Sequence, residues 1–387
     1  MAGFSLPWLA YVLLVSVESA HAGPPPATQW DQHTNGRYLG AMSCSSSSCH
    51  GGAGDQHNQF IIWSQRDFHQ RSGLILTNAR SARIAETLRI SDASADLRCT
   101  VCHSPVTAIA PPRLVDKSER DSGVSCESCH GPAEAWLRSH TRRDYTYRMR
   151  VSAGMRDLRS FYFRANTCVA CHQTLDSDII AAGHPRLLFE LVTQTKAEPP
   201  HWRDPVDSPV RAWLTGQAAA LRELSSKANG DAQKSDPDAA AQTSALSWLL
   251  ARVTSSDHSL PPVPNNVESG SVQHAADELA QHVSGRSFEN GYGTRLLRAL
   301  TSTAIEFRET SSISPDILFY RAKRLALACE ALSGSAAPAQ LRSAEFNKII
   351  GDVSSPTNFN ATAFAEDIAA WRVATGLIDP NGSGTPR

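Results

Sequence analysis

Eight of the nine cysteines lie between Cys44 and Cys171, and they fall into four pairs whose second member is followed directly by histidine. Three pairs read Cys99-Thr-Val-Cys102-His103, Cys126-Glu-Ser-Cys129-His130 and Cys168-Val-Ala-Cys171-His172, the C-x-x-C-H spacing of c-type haem attachment. The fourth, Cys44-Ser-Ser-Ser-Ser-Cys49-His50, has two more residues between its thiols. In a helical turn, positions i, i+3 and i+4 project from one face, so two sulfurs and an imidazole can meet a single flat ligand. The thiols add to its two vinyl groups while the ring reaches iron. Ser45–Ser48 cannot form one regular turn and must loop outward to bring Cys44 and Cys49 to one porphyrin edge. The expectation is four covalently bound haem c groups, with His50, His103, His130 and His172 as proximal iron ligands. A zinc site on Cys99, Cys102, Cys126 and Cys129 would leave the trailing histidines and two further pairs unexplained. A disulfide framework calls for no histidine after each second cysteine. Cys329 stands apart in an apolar helical stretch and is expected to be a buried free thiol.

Whether each iron carries a second ligand separates an electron carrier from a catalyst, because a vacant position can bind a small substrate. Of the histidines left in the first half, His33, His57, His69, His140, His184 and His201, three have a favourable setting. His69 follows Phe60–Phe68, with Ile62 and His69 at i and i+7 on one expected helical face. His140 ends Ala133–His140, a short helical segment restarted after Gly131-Pro132. His184 lies between Gly183 and Pro185, held extended before a helix that Pro185 is expected to open. His57 or His201 could close a fourth iron. Between the third and fourth motifs run Arg138, Arg142, Arg143, Arg148, Arg150, Arg156, Arg159 and Arg164, against Asp144 and Asp157. Such a cluster suits the carboxylate edges of haems, a solvated basic face, or the docking of an acidic redox protein.

The chain resembles, over roughly residues 36–204, the multihaem c-type cytochromes of the cytochrome c-554 type. The resemblance rests on Tyr38-Leu-Gly-Ala-Met-Ser-Cys44 with Cys49-His50-Gly51, on Gly123-Val-Ser-Cys126-Glu-Ser-Cys129-His130-Gly131-Pro132, and on Gly183-His184-Pro185-Arg186-Leu187. It implies four haems, periplasmic electron transfer, three irons closed by a second histidine and one five-coordinate. It further implies that His140 serves the Cys44/Cys49 haem, His69 the Cys126/Cys129 haem and His184 the Cys168/Cys171 haem, leaving the iron of His103 open.

The elements that must hold these residues divide the 387 positions in two. Trp8 to Val17 is a short apolar stretch followed by Ala20-His21-Ala22, so residues 1–22 read as a signal peptide cleaved after Ala22, with a periplasmic or otherwise exported product. An uncleaved leader would instead tie the chain to a membrane. Residues 28–204 form the expected tetrahaem domain, whose core the porphyrins must largely supply, so the cofactor-free form should fold poorly. Residues 205–387 carry amphipathic segments at Val210–Ser226, Thr243–Val253, Val272–Val283, Thr294–Phe307, Asp316–Leu332 and Thr362–Leu377, with a flexible loop expected over 230–242. The fold class is all-α: a mostly irregular multihaem cytochrome module followed by an α-helical bundle. Lys+Arg at 37 against Asp+Glu at 38 gives no basic footprint for nucleic acid. Expected partners are redox proteins that donate and accept electrons, and the helical half offers a surface for a homo-oligomer. The leading expectation is electron transfer. The alternative is an oxidoreductase acting on a small nitrogen or sulfur compound at an open haem, with arginine holding an anion.

Overall fold

The computed structural model describes residues 36–116, 123–202, 208–230, 236–265, 269–308, 312–333 and 344–377. The expected signal peptide and His33 lie outside the described residues. The described residues form α-helices and no strand, apart from one isolated parallel bridge between Tyr38 and Leu114. The all-α expectation holds.

In the first half the helices are short: α1 (Gln59–Arg66), α2 (Ser72–Ile75), α3 (Ala79–Thr87), α4 (Leu97–His103), α5 (Cys126–His130), α6 (Tyr147–Ser152), α7 (Phe161–His172), α8 (Ser177–Ala181) and α9 (Leu191–Ala197). Local caps start many of them. Asp96 accepts the Arg98 N–H ahead of α4, Ser125 and Ser128 form a capping box on α5, and Glu190 accepts from Val192 and Thr193 at the head of α9. The protein itself gives this half little apolar core. One small cluster joins Tyr38, Val106, Ile109 and Leu114, and another joins Leu76, Ala85, Ile90 and Ala93. Met42, Phe68, Leu74, Leu97 and Phe163 are left facing outward. Large apolar side chains without protein cover are what flat apolar cofactors would bury.

The second half is a bundle: α10 (Pro209–Gly230), α11 (Pro237–Ser256), α12 (Ser269–Ser284), α13 (Tyr292–Ser302), α14 (Pro315–Ser333), α15 (Ala344–Asp352) and α16 (Ala361–Ala374). Helix α10 packs along α12 and α7, while α11 packs along α14. Trp213, Leu214, Trp248, Phe307, Leu325, Phe364 and Trp371 fill the interior, and Cys329 is buried among them as a free thiol. Three details differ from the sequence reading. The expected loop over 230–242 is helical from Pro237, because Asp236 caps and Pro237 occupies the first turn; residues 231–235 lie outside the described residues. The segment expected at Thr294–Phe307 tightens to a 3-10 turn from Thr303. Helix α15 was not expected. The same core also takes in Phe161, Ala165 and Val169 of α7 with Phe189, Leu191 and Val192, all ahead of the composition break near 205.

Candidate functional site

Each C-x-x-C-H motif occupies a helical turn. Cys99, Cys102 and His103 close α4, Cys126 to His130 make up α5, and Cys168, Cys171 and His172 end α7. In the first motif the chain turns at Ala41–Cys44, and the His50 N–H donates to the Cys44 carbonyl at 3.2 Å. Ser46, Ser47 and Ser48 are pushed out and exposed, the outward loop that the spacing demands. A Cβ on Gly51 would stand 1.8 Å from the Ser45 carbonyl oxygen, so this closure tolerates only glycine there.

A carboxylate inside a motif ties the first and third together. Glu127 is 2% exposed and accepts backbone N–H groups from Leu39 (2.9 Å), Gly40 (2.7 Å) and Ala133 (2.6 Å). Sequence reading missed it, since a glutamate between two motif cysteines carries no spacing signal. Ser72 is a second missed residue. Its hydroxyl lies 2.6 Å from the His69 carbonyl oxygen and 2.7 Å from that of His103, and it accepts the Val124 N–H at 3.1 Å. Gly123, at φ +67, presses so near the His69 carbonyl that a Cβ would come within 2.6 Å of its oxygen.

Three pairs of imidazoles face one another. His50 and His140 have ring centroids 6.1 Å apart, His69 and His172 6.1 Å, and His103 and His184 6.2 Å. A metal–nitrogen bond is about 2 Å, and roughly another 1 Å separates a ligating nitrogen from its ring centre, so two imidazoles on opposite sides of one metal stand about 6 Å apart. The inner nitrogen of most of these rings is already tied to the protein. Nδ1 of His50 meets Gln59 Oε1 at 2.9 Å, that of His103 the Ser72 carbonyl at 3.2 Å, that of His184 the Pro185 carbonyl at 2.8 Å, and that of His140 the Leu137 carbonyl. Nδ1 of His69 meets the buried Asp67 carboxylate at 3.1 Å. Tethering Nδ1 fixes the tautomer and leaves Nε2 for iron, so the donor set fits haem c with two axial imidazoles.

The settings of the second histidines differ from the sequence reading. Helix α1 stops at Arg66, because Asp67 turns extended and caps a 3-10 turn at Phe68–Arg71, so His69 does not continue the Ile62 face. Around His140 the chain makes single turns ending in a 3-10 turn at Ser139–Thr141, with no α-helix over 133–140. Pro185 opens no helix. The stretch after it stays extended, with the Phe189 N–H held by Gln173, until Glu190 caps α9. The resemblance implies His140 for the Cys44/Cys49 haem, His69 for Cys126/Cys129 and His184 for Cys168/Cys171; in the structure the ring opposite His140 is His50, that opposite His69 is His172 and that opposite His184 is His103. His69 faces His172 because Asp67 aims its ring, and His184 faces His103 because Arg80 of α3 grips the Gly183 carbonyl at 2.9 Å. Among the described residues, the motif histidine with no imidazole opposite it is His130, not His103.

Desolvation keeps the central rings neutral, the form that binds metal. Burial is the main cause that takes His130 down to about 4, with His201 and Arg156 adding to it, and burial with His69 takes His172 down to about 4. His69 is the exception: its hydrogen bond to Asp67 raises it above the usual imidazole range. Burial raises Glu198 to about 7. Glu198 lies with Asp67 and His69 in one acidic group, while the four cysteines of a zinc ribbon do not converge. His57 donates from Nδ1 to the Cys49 carbonyl at 2.7 Å, and His201 stacks edge-on to Trp202, so neither ring faces a motif histidine at the paired spacing. Neighbouring motifs lie near enough to influence one another. Cys102 hydrogen-bonds Cys171, Cys129 acts electrostatically on Cys168, and His50 on His130. Of the arginines, Arg156 binds the Ser128 and Cys129 carbonyls at 2.8 and 2.9 Å, Arg142 pairs with Asp144, and Arg159 covers Tyr147. Buried Arg150 Nε has no partner and lies near His140, a setting for a cofactor carboxylate.

Residues 43–131 match the family of cytochrome c554 and c-prime, a stretch that takes in the first three motifs and ends before Cys168. The match supports a c-type cytochrome with covalently bound haem and haem-based electron transfer. No curated protein and no solved structure matches the chain. No described helix is long and apolar enough to cross a membrane.

Proposed function

We propose that the chain is an exported tetrahaem c-type cytochrome that relays single electrons between redox proteins. The haems are attached through Cys44/Cys49, Cys99/Cys102, Cys126/Cys129 and Cys168/Cys171, with axial pairs His50/His140, His103/His184 and His172/His69. The observation that carries this reading is the set of three imidazole pairs at 6.1 to 6.2 Å, each containing the histidine of a different motif. Haem c, when bound, supplies Fe(III)/Fe(II) one-electron chemistry. The chain's own residues set the order of the sites. A hydrogen bond between Cys102 and Cys171, and the electrostatic influence of Cys129 on Cys168 and of His50 on His130, support an order of second, fourth, third, first motif. Export rests on the leader at 1–22.

The mass of the mature protein tests cofactor number and leader removal together: peptide 23–387 plus four haems is expected, and bare peptide would end the reading. A second reading is favoured by His130, which faces no imidazole among the described residues. The iron there would be open to a small nitrogen or sulfur compound, making the protein an oxidoreductase. Wholly low-spin spectra of the resting protein would remove that reading, and a high-spin component lost in His130 variants would support it.

A further inference from the structure

Helix α7 carries the fourth motif on one side and packs against the bundle on the other, and the bundle holds it at both ends. Near its start, Arg222 of α10, paired with Glu223 and Asp277, donates to Asn166 at 2.8 Å, while Tyr162 donates to Asp277 at 2.9 Å. At its finish stands Gln173, the residue directly after His172. Its Oε1 accepts from Arg324 Nη2 at 3.1 Å and from the Phe189 N–H at 3.1 Å, and its Nε2 donates to Gln242 of α11 at 3.1 Å.

Arg324 comes from α14, far along the chain, and is 1% exposed. Its other hydrogen bonds go to the Phe189 carbonyl at 2.8 Å and to Gln217 Oε1 at 3.0 Å. All of these acceptors are neutral, and burial pulls the guanidinium down to about 10 against the opposing influence of Glu190. A buried cation without a hydrogen-bonded carboxylate is costly, and a plain hydrophobic residue would serve packing better. What the fork does provide is a fixed geometry for Gln173 and for the extended segment at Phe189. That geometry matters at His172, because among the described residues no acceptor holds its Nδ1, unlike His50, His69, His103, His140 and His184. The plane of the His172 ring must therefore follow from its backbone. It stands at 89° to the His69 ring, whereas His50 and His140 are 20° apart.

We propose that Arg324, acting through Gln173, is a positioning residue that fixes the ring plane of His172 and so sets the reduction potential and the low-spin signature of the fourth haem. This rests on the proposed sharing of one iron by His172 and His69. It gives the helical half a part in electron transfer. Mutual ligand orientation and the surrounding shell are levers on a haem that leave ligand identity unchanged.

The test uses the full, haem-loaded chain. His69→Ala first identifies the fourth haem, as the low-spin EPR signal that is lost. Arg324→Met should then shift that signal and that haem's midpoint potential, with four haems retained and the signals of the other two pairs unmoved. Asp277→Asn, which loosens the opposite end of α7, should lower the melting temperature without moving the signal. An unmoved signal in Arg324→Met overturns the proposal, as does an equal shift at every haem or the same shift in Asp277→Asn. If Arg324→Met yields no haem-loaded protein, Gln242→Ala, which removes one partner of Gln173, should shift the same signal by less, and no shift there is equally fatal. Absence of haem from the Cys168/Cys171 peptide by mass would instead sink the tetrahaem reading itself.

Discussion

Asp67 ends a helix, caps the next turn and holds the Nδ1 of His69, all from one buried carboxylate. Burial opposes its ionisation, yet the hydrogen bonds from His69 outweigh this and keep the carboxyl below the usual carboxylate range. An anionic acceptor makes an imidazole more basic and favours the oxidised iron it binds. Asp67→Asn should therefore raise the potential of the haem proposed at Cys168/Cys171 while leaving it low-spin, read by a spectroscopic redox titration. Glu127 predicts a structural loss instead. Removing its carboxylate in Glu127→Ala strands buried N–H groups of Leu39, Gly40 and Ala133, at a cost of about 2–4 kcal/mol. The melting temperature of the mature protein should fall accordingly, and Glu127→Gln, which keeps an acceptor oxygen, should lose less. The motif cysteines and their histidines stand out in the sequence because haem attachment would write its spacing into five or seven consecutive residues. Neither Asp67 nor Glu127 was legible in that way, since each acts on groups brought to it by the fold. The choice of partner for His69 and His184 was hidden for the same reason: Asp67 and Arg80, not local spacing, decide which motif each ring meets.

At the scale of helices, the bundle could be read from periodicity and caps, and Asp236-Pro237 shows how a start signal can hide in a stretch that composition marks as a loop. Helix α15 escaped notice because its short apolar face, Phe346 and Ile349, offers barely two turns of pattern. This helix also carries a pH-dependent strain. Its last residue, Asp352, is raised to about 6 by burial and by Asp367 of α16. The folded chain therefore binds more protons than the unfolded chain between about pH 4 and 6, so stability falls as pH rises through that window. Asp352→Asn should flatten the fall. At pH 7 it should exceed the parent by about 1 kcal/mol, discounted because the carboxyl is partly solvated, while at pH 4 the two should melt together. Equal melting temperatures at both pH values would show that the Asp352–Asp367 repulsion is absent in solution.

Over the whole molecule, the two halves draw on different sources of cohesion. The bundle buries Trp213, Trp248, Phe364 and Trp371 within its own apolar core, whereas the motif-bearing half has two small clusters and leaves Phe68, Leu74 and Leu97 facing outward. Its remaining cohesion comes from polar ties such as Glu127 and Ser72, which are weak in water unless something excludes solvent around them. Covalent cofactors would supply that exclusion, and their binding would count directly as folding free energy. A chain with all eight motif cysteines changed to serine should thus come apart unevenly. Amides of α10, α11 and α14 should stay protected from hydrogen exchange, while those of α3 to α6 should exchange nearly as fast as an unfolded chain. Helix α7 separates cofactor-dependent folding from simple fraying. Phe161, Ala165 and Val169 are rooted in the bundle core and Gln173, just past its end, is held by Arg324 and Gln242, so α7 should retain protection along its length although it carries the fourth motif. Protection spread evenly across both halves would mean that the motif-bearing half folds on its own apolar surface, and that porphyrins are not what completes its core.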